Sequence, residues 1–336
     1  MSATEVEAER SAASAPAYTH PTIQNKTMRA ALLVAALVAA VRGFVAPAPA
    51  QTTRTRVRQF AAFKQNDVKK LLASKRNAID ALGKAAPETS ELTRLRFALA
   101  FPSARGTDVA SARAALREAV AWRAGPGKAI TDAAREAVAA ATAGGGWDNE
   151  PVRAAAPHAA AINEFITPKN ILTLSTDEGD LVYVIRASLI DDRKLMRRVS
   201  VAQLTDFFLY VKEVHSLIVD ARAARTGRLA GVIFANDISG ISAIPDAKFS
   251  QALTESSNQY EKLYPTLAGP TMILNLPFLI QGFVGLIKPL FPPSVQDRLV
   301  FESAPYLAGL DELTPLTAGE PAKAAFLAEV KRKLPK

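Results

Sequence analysis

A chain of 336 residues with 49% hydrophobic and 22% charged side chains has the composition of a globular protein, with room for one large domain or two modest ones. It has no cysteine, which excludes disulfides, thiolate metal sites and a cysteine nucleophile. The net charge of +9 is concentrated in residues 28–66, where Arg29, Arg42, Arg54, Arg56, Arg58 and Lys64 stand with no acid among them. The remainder is only weakly basic, and nucleic-acid binding loses its compositional support.

Met28-Arg29, the apolar run 30–41 and the small residues after it have the order of a secretory signal. The run is too short to span a bilayer. Gly43-Phe44-Val45-Ala46-Pro47 follows, then an acid-free stretch rich in Thr and Arg, which is transit-peptide composition. This order resembles the bipartite plastid leaders of algae with secondary plastids, with Val41-Arg42-Gly43 standing where those leaders carry Ala-x-Ala before the phenylalanine. A start at Met28 and a plastid destination are expected. The alternatives are secretion or an endomembrane lumen, and an amphipathic helix on a membrane surface.

Residues 67–165 read as a helical module. Val68, Leu71, Leu72, Ile79 and Leu82 recur at helical spacing until Gly83, which is expected to end the run. Leu92, Leu95 and Leu99 predict a second helix stopped by Pro102. Thr107 or Asp108 caps a third, with Val109, Ala112, Leu116, Ala119 and Val120 on one face through Trp122. Alanine-rich helices follow over 128–143 and up to Phe165, with Gly144, Gly145 and Gly146 as a joint between them.

From Ile171 strands alternate with helices. Strands are predicted over 181–187, 229–236, 271–276 and 299–302, and helices over 200–225 and 249–263. The second helix stops near Tyr264-Pro265, because a residue before proline is pushed out of helical geometry. The fold class is therefore α/β: a helical module, then a mainly parallel sheet covered by helices. Residues 277–289 are unusual. Only Gln281 and Lys288 are strongly polar there, and Phe278, Leu279, Ile280, Phe283, Val284, Leu286 and Ile287 leave such a helix no water-facing side. A helix of that kind is covered by protein, by lipid, or by each in turn. Gly282 and Gly285 lower its intrinsic stability by up to about 1 kcal/mol each, or else serve close packing.

Tyr264-Pro265, Gly269, the strand ending in Asn275-x-Pro277, the aromatic-rich helix, Lys288-Pro289-Leu290 and Arg298 together resemble the CRAL-TRIO lipid-binding family. Leu95-Arg96-Phe97 through Trp122-Arg123 is similar to that family's small helical module, and Asp237-Ile238-Ser239-Gly240-Ile241 to its turn after the second strand. The matched pieces cover residues 92–301. The resemblance implies a hydrophobic pocket closed by a gate helix after the Asn-x-Pro turn. The candidate lining is Tyr183, Ile185, Phe207, Val211, Phe234, Ile273, Phe278, Phe283 and Ile287, with core packing as the alternative for each. Arg298 and Lys288 are candidates to meet a head-group phosphate, the alternative being solvated surface charge. Leu99 stands where the family often has an arginine. Thr266-Leu267 replaces the acidic-basic doublet of phosphatidylinositol carriers, and Val232 and Phe234 stand where choline-lipid binders place hydroxyls. These departures leave room for a tocopherol, quinone, carotenoid or galactolipid.

No catalytic constellation is present. His20, His158 and His215 have no partners at metal spacing, and Ser239 is not in a Gly-x-Ser-x-Gly elbow. The glycine triplet precedes no apolar strand. Asp191-Asp192 is followed by Arg193-Lys194 and reads as a solvated loop with local ion pairing rather than a metal pair. The expectation is a non-enzymatic carrier without cofactor. Its partners would be one hydrophobic small molecule or lipid and, transiently, a membrane surface, with no nucleic acid and no readable protein partner. A membrane-recruited, lipid-sensing regulatory scaffold is the rival reading, and a hydrolase the third. The organisation expected is a leader region over 1–66, the helical module over 67–165, a lipid-binding domain over 166–315 and a basic tail over 316–336.

Overall fold

The computed structural model describes residues 67–274 apart from 105, 146, 168, 176–179 and 238–244, together with the strand pair position 299–300. Several helices begin where short polar side chains take the free N–H groups of the first turn. Asp67 accepts from the Lys70 N–H ahead of α1 (Val68–Ser74), and α2 (Arg76–Ala85) follows after a break at Lys75. Ser90 caps α3 (Glu91–Ala100), and Asp108 caps α4 (Val109–Ala124). Between them Pro102 and Ser103 form β1, paired antiparallel with β2 (Gly106–Thr107). Ile79 and Leu82 of α2, Leu95 and Phe97 of α3, and Ala112, Leu116 and Ala119 of α4 are buried together as a three-helix unit.

Gly83 does not end its helix. It lies inside α2, where an added Cβ would come within 2.8 Å of the Arg94 guanidinium. Arg94 needs that space to reach the carbonyls of Pro87 and Thr89, so this glycine serves a close approach rather than a stop.

Helices α5 (Lys128–Thr142), α6 (Glu150–Ala154) and α7 (Ala159–Ile162) lead to the sheet. Ile130, Ala134, Ala137 and Ala141 recur at helical spacing and pack the alanine face of α5 against α9 (Val201–Thr226). A capping box at Ser200 and Gln203 opens α9, and Gly227, in the left-handed region at φ 70°, closes it. At 26 residues, or roughly 39 Å, α9 is buried on most sides, because α5 lies along one flank and α10 (Ala247–Leu263) along another. Asp191 ends a loop with the local ion pairing expected of it, whereas Asp192 is the first residue of a helix. Asp191 caps α8 (Asp192–Arg198) and pairs with Lys194, while Asp192 accepts the Asp246 N–H at 2.8 Å. Each carboxylate is thus engaged at a helix N-terminus.

The sheet has the order β3-β4-β5-β6-β7, formed by Ile171–Ser175, Leu181–Arg186, Val232–Asp237, Ala268–Leu274 and Leu299–Val300. Strands β4 to β7 are parallel. β3 is an added antiparallel edge, so the sheet is mixed and the α/β architecture holds. At the start of β6 a Cβ on Gly269 would meet the Val232 carbonyl oxygen at 3.2 Å, next to a register shift between Val232 and Phe234. A side chain there would require the two backbones to part by a few tenths of an ångström. Among the described residues no helix is long and apolar enough to cross a membrane.

Candidate functional site

Successive strand residues point to opposite faces, so the sheet has two different sides. One side packs on α9 and α10. Ile171, Leu181, Tyr183, Ile185, Val232 and Phe234 belong there to one continuous hydrophobic core, which includes Phe207 and Val211 of α9. Its rings interlock edge to face: Tyr183 on His215 with centroids 5.0 Å apart, Tyr183 on Phe234 at 6.0 Å, and Phe234 on Tyr260 at 5.7 Å. Tyr183, Ile185, Phe207, Val211 and Phe234 are therefore brought together, on the helix-covered side. Ile273 takes the register position beside Asn236 in β6. Phe278, Phe283, Ile287, Lys288 and Arg298 lie outside the described residues.

Buried polar groups punctuate this layer. The Lys212 ammonium lies over the Tyr260 ring at 5.2 Å and donates to Ser256 Oγ at 3.0 Å, with no carboxylate paired to it among the described residues. Burial pushes its pKa down to about 7. One turn on, His215 shares a 3.0 Å hydrogen bond with Thr173 Oγ1. Burial first and the Lys212 charge second lower its pKa to about 3, so it is neutral at physiological pH. The Tyr183 hydroxyl is buried with no hydrogen-bond partner, and burial pushes its pKa far above the ordinary phenol value.

A second set of charges joins the helical module to the sheet. Arg96, 4% exposed, pairs with Asp220 of α9 at 2.8 Å and donates to the carbonyls of Ala230 and Thr266 at 3.0 and 3.4 Å. Arg123 of α4 pairs with the buried Glu213 at 3.2 Å and lies over the Tyr264 ring. Tyr264 donates to the same Glu213 carboxylate at 2.6 Å, and burial together with that charge raises its phenol pKa strongly. Thr266 sits at φ 60°, where a β-branched residue is strained, and Arg96 holds the carbonyl of this turn. A cleft of about 400 Å³ opens at the seam, lined partly by Phe97, Val120, Leu217 and Leu263. The charged side chains Arg96, Arg123, Glu213 and Asp220 around it are all mutually paired, so the seam acts as a clasp.

The other side of the sheet has a different chemistry. Leu172, Val184 and Ala235 form one row by register, with Val182 opposite Ile233 in the next. Leu172, Val182, Val184 and Ala235 are 1–3% exposed yet stand outside the helix-side core. These four residues make an apolar floor, and on the same face Arg186 takes the register position beside Asp237 at the C-terminal ends of β4 and β5. Sites in open parallel sheets gather at those ends. Residues 167–316, which span the whole five-stranded sheet, match the family described as CRAL/TRIO domain. The chain carries a CRAL/TRIO domain. CRAL/TRIO proteins are generally lipid-binding transfer proteins, so the class of ligand is lipophilic. No curated protein matches the chain. Among the described residues no group of three or more His, Asp or Glu side chains is placed to hold a metal ion.

The sequence reading missed Lys212 and the partners of Arg96. One signal for Lys212 was present: Lys212-Glu213 interrupts Phe207-Phe208-Leu209-Tyr210-Val211 and Val214 in a helix that offers no continuous polar stripe.

Proposed function

We propose that the protein holds one lipophilic molecule against the apolar side of its CRAL/TRIO sheet, under a movable lid formed by residues 277–289, and exchanges it with membranes. The observation that supports this most is the row Leu172, Val184 and Ala235 with Val182 beside it, buried but outside the helix-side core. Tyr183, Ile185, Phe207, Val211 and Phe234 then act from behind, as the packed support of the floor. Leu172, Val182, Val184 and Ala235 suit an acyl or isoprenoid body, since they offer contact without hydrogen bonds. Moving a 16-carbon tail from water into an apolar site gains roughly 13 kcal/mol at about 0.8 kcal/mol per CH₂. A bilayer supplies the same gain, so loading and unloading are near balance once a lid lowers the barrier between them. Arg298 and Lys288 would meet an anionic head group where the cargo has one.

Transfer of labelled lipid between vesicles tests the carrier directly, and native mass spectrometry of the purified chain identifies the cargo. Phe283→Asp is expected to abolish transfer with the circular-dichroism spectrum retained; unchanged transfer would remove the lid. Binding without catalytic transfer would instead establish the lipid-sensing scaffold. Residues 28–66 are proposed as a plastid leader, and a fluorescent fusion of that segment that enters the secretory lumen alone would reject the plastid destination.

A further inference from the structure

We propose that the groove between α2 and α4, on the helical module and outside the CRAL/TRIO match, docks the protein on anionic membrane lipids. The inference rests on the reading that the protein exchanges cargo with membranes and supplies the surface that brings it there. The groove has a volume of about 540 Å³ and is bordered by Asn77, Asp80 and Lys84 of α2 and by Arg113 and Arg117 of α4. Arg113 and Arg117 stand four residues apart, so they share one helix face. Lys84, Arg113 and Arg117 are exposed, and among the described residues none of the three has a hydrogen-bond or ion-pair partner.

Neighbouring charges are committed elsewhere. Asp80, the groove's one carboxylate, lies 3.8 Å from Arg76, which also pairs with Glu91. Glu118, next to Arg117 in sequence, faces Lys262 at 3.8 Å. Arg76 is shared between two carboxylates, so Asp80 keeps part of its charge; against it the groove sets Lys84, Arg113 and Arg117, and the net positive excess attracts anions.

The floor decides between a lipid surface and a protein. Only Ala81 and Ala85 supply apolar surface there, whereas a protein partner needs aromatic or aliphatic anchors in well-packed pockets. Phosphate-bearing head groups need only donors, which guanidinium groups present two at a time. Each cation near an anionic bilayer strengthens binding about fivefold, so the three together contribute about a hundredfold.

The test uses the full chain with phosphatidylcholine vesicles, with and without phosphatidylglycerol, in a sedimentation assay. The triple variant Lys84→Gln/Arg113→Gln/Arg117→Gln is expected to lose about a hundredfold in binding to the anionic vesicles. The control Lys128→Gln/Arg135→Gln, elsewhere on the module, is expected to bind as wild type, and both variants should keep the wild-type melting temperature. Equal anionic binding by the triple variant and wild type overturns the proposal. So does a wild-type protein that binds polyglutamate and ignores the vesicles, which would assign the groove to an acidic protein. Transfer between purely zwitterionic vesicles, measured alongside, judges the carrier reading separately, because docking through the groove does not enter that assay.

Discussion

The seam between the helical module and the sheet, and the layer between the sheet and helices α9 and α10, each bury a cation to the same depth and treat it in opposite ways. Arg96 is 4% exposed and Lys212 5%. Around Arg96 a carboxylate and two backbone carbonyls take up the guanidinium, and the group fixes the geometry of a strained turn. Around Lys212 the described residues supply one hydroxyl and one ring face, with no counter-charge among them. A buried charge with full partners is costly to break, whereas one without partners lowers stability as long as it stays charged. Depth of burial alone thus predicts neither the sign nor the size of a substitution's effect.

The sharpest way to break this contrast is Arg96→Met. It leaves Asp220 without its cation and two carbonyls without donors, and should destabilise the fold by about 3–5 kcal/mol in urea unfolding. A loss below 1 kcal/mol would mean that the clasp is ornamental.

Lys212→Met should act in the opposite direction and raise stability at pH 7 by on the order of 2–4 kcal/mol. The sign follows from proton linkage. Lys212 titrates near 7 in the folded protein and near 10.5 in an unfolded chain, so the folded state binds fewer protons. Its penalty is full below about pH 7 and is relieved as pH rises toward 10.5. His215, lowered from 6.5 to about 3, adds a further loss as pH falls through that range. Denaturation midpoints of the wild type measured from pH 7 to pH 10 should rise more steeply than those of the Met variant; parallel slopes would contradict the assignment.

The smallest effect concerns the support layer itself. Tyr183→Phe removes a buried hydroxyl that has no partner, and should be neutral or stabilising by about 1 kcal/mol. Destabilisation beyond that, read by thermal unfolding, would show that the hydroxyl has a partner and that the layer is not purely packing.

Much of this architecture is legible because it is local. Asp108 before an apolar-periodic run, Ser200 before another and Pro265 after a third mark helix ends through backbone hydrogen bonding that involves only neighbouring residues. What failed depends on residues far away in the chain. Gly83 reads as a stop because the reason for it, the side chain of Arg94, lies on the next helix. β3 went unassigned because alternation of strands and helices calls for parallel neighbours and says nothing of an antiparallel edge. For the site, period-2 alternation separates Val182 and Val184 from Tyr183 and Ile185, but cannot state which set the helices cover. The larger, aromatic set reads as pocket lining, and the structure places it under α9 and α10. Lys212 is hidden for a related reason: a charged residue on a helix reads as its wet face, and α9 is enclosed by neighbours on both flanks.

The three bonds of Arg96 also bear on how this protein can be cut. Ala230 and Thr266, whose carbonyls it holds, stand just ahead of two adjacent interior strands, β5 and β6. A fragment trimmed to the family boundary at residue 167 would keep all five strands and lose the donor that tethers the entry to both. The helical module is in this sense the keystone of a domain to which it does not formally belong, and fragments for ligand work should begin no later than Asp67, whose side chain starts the first helix.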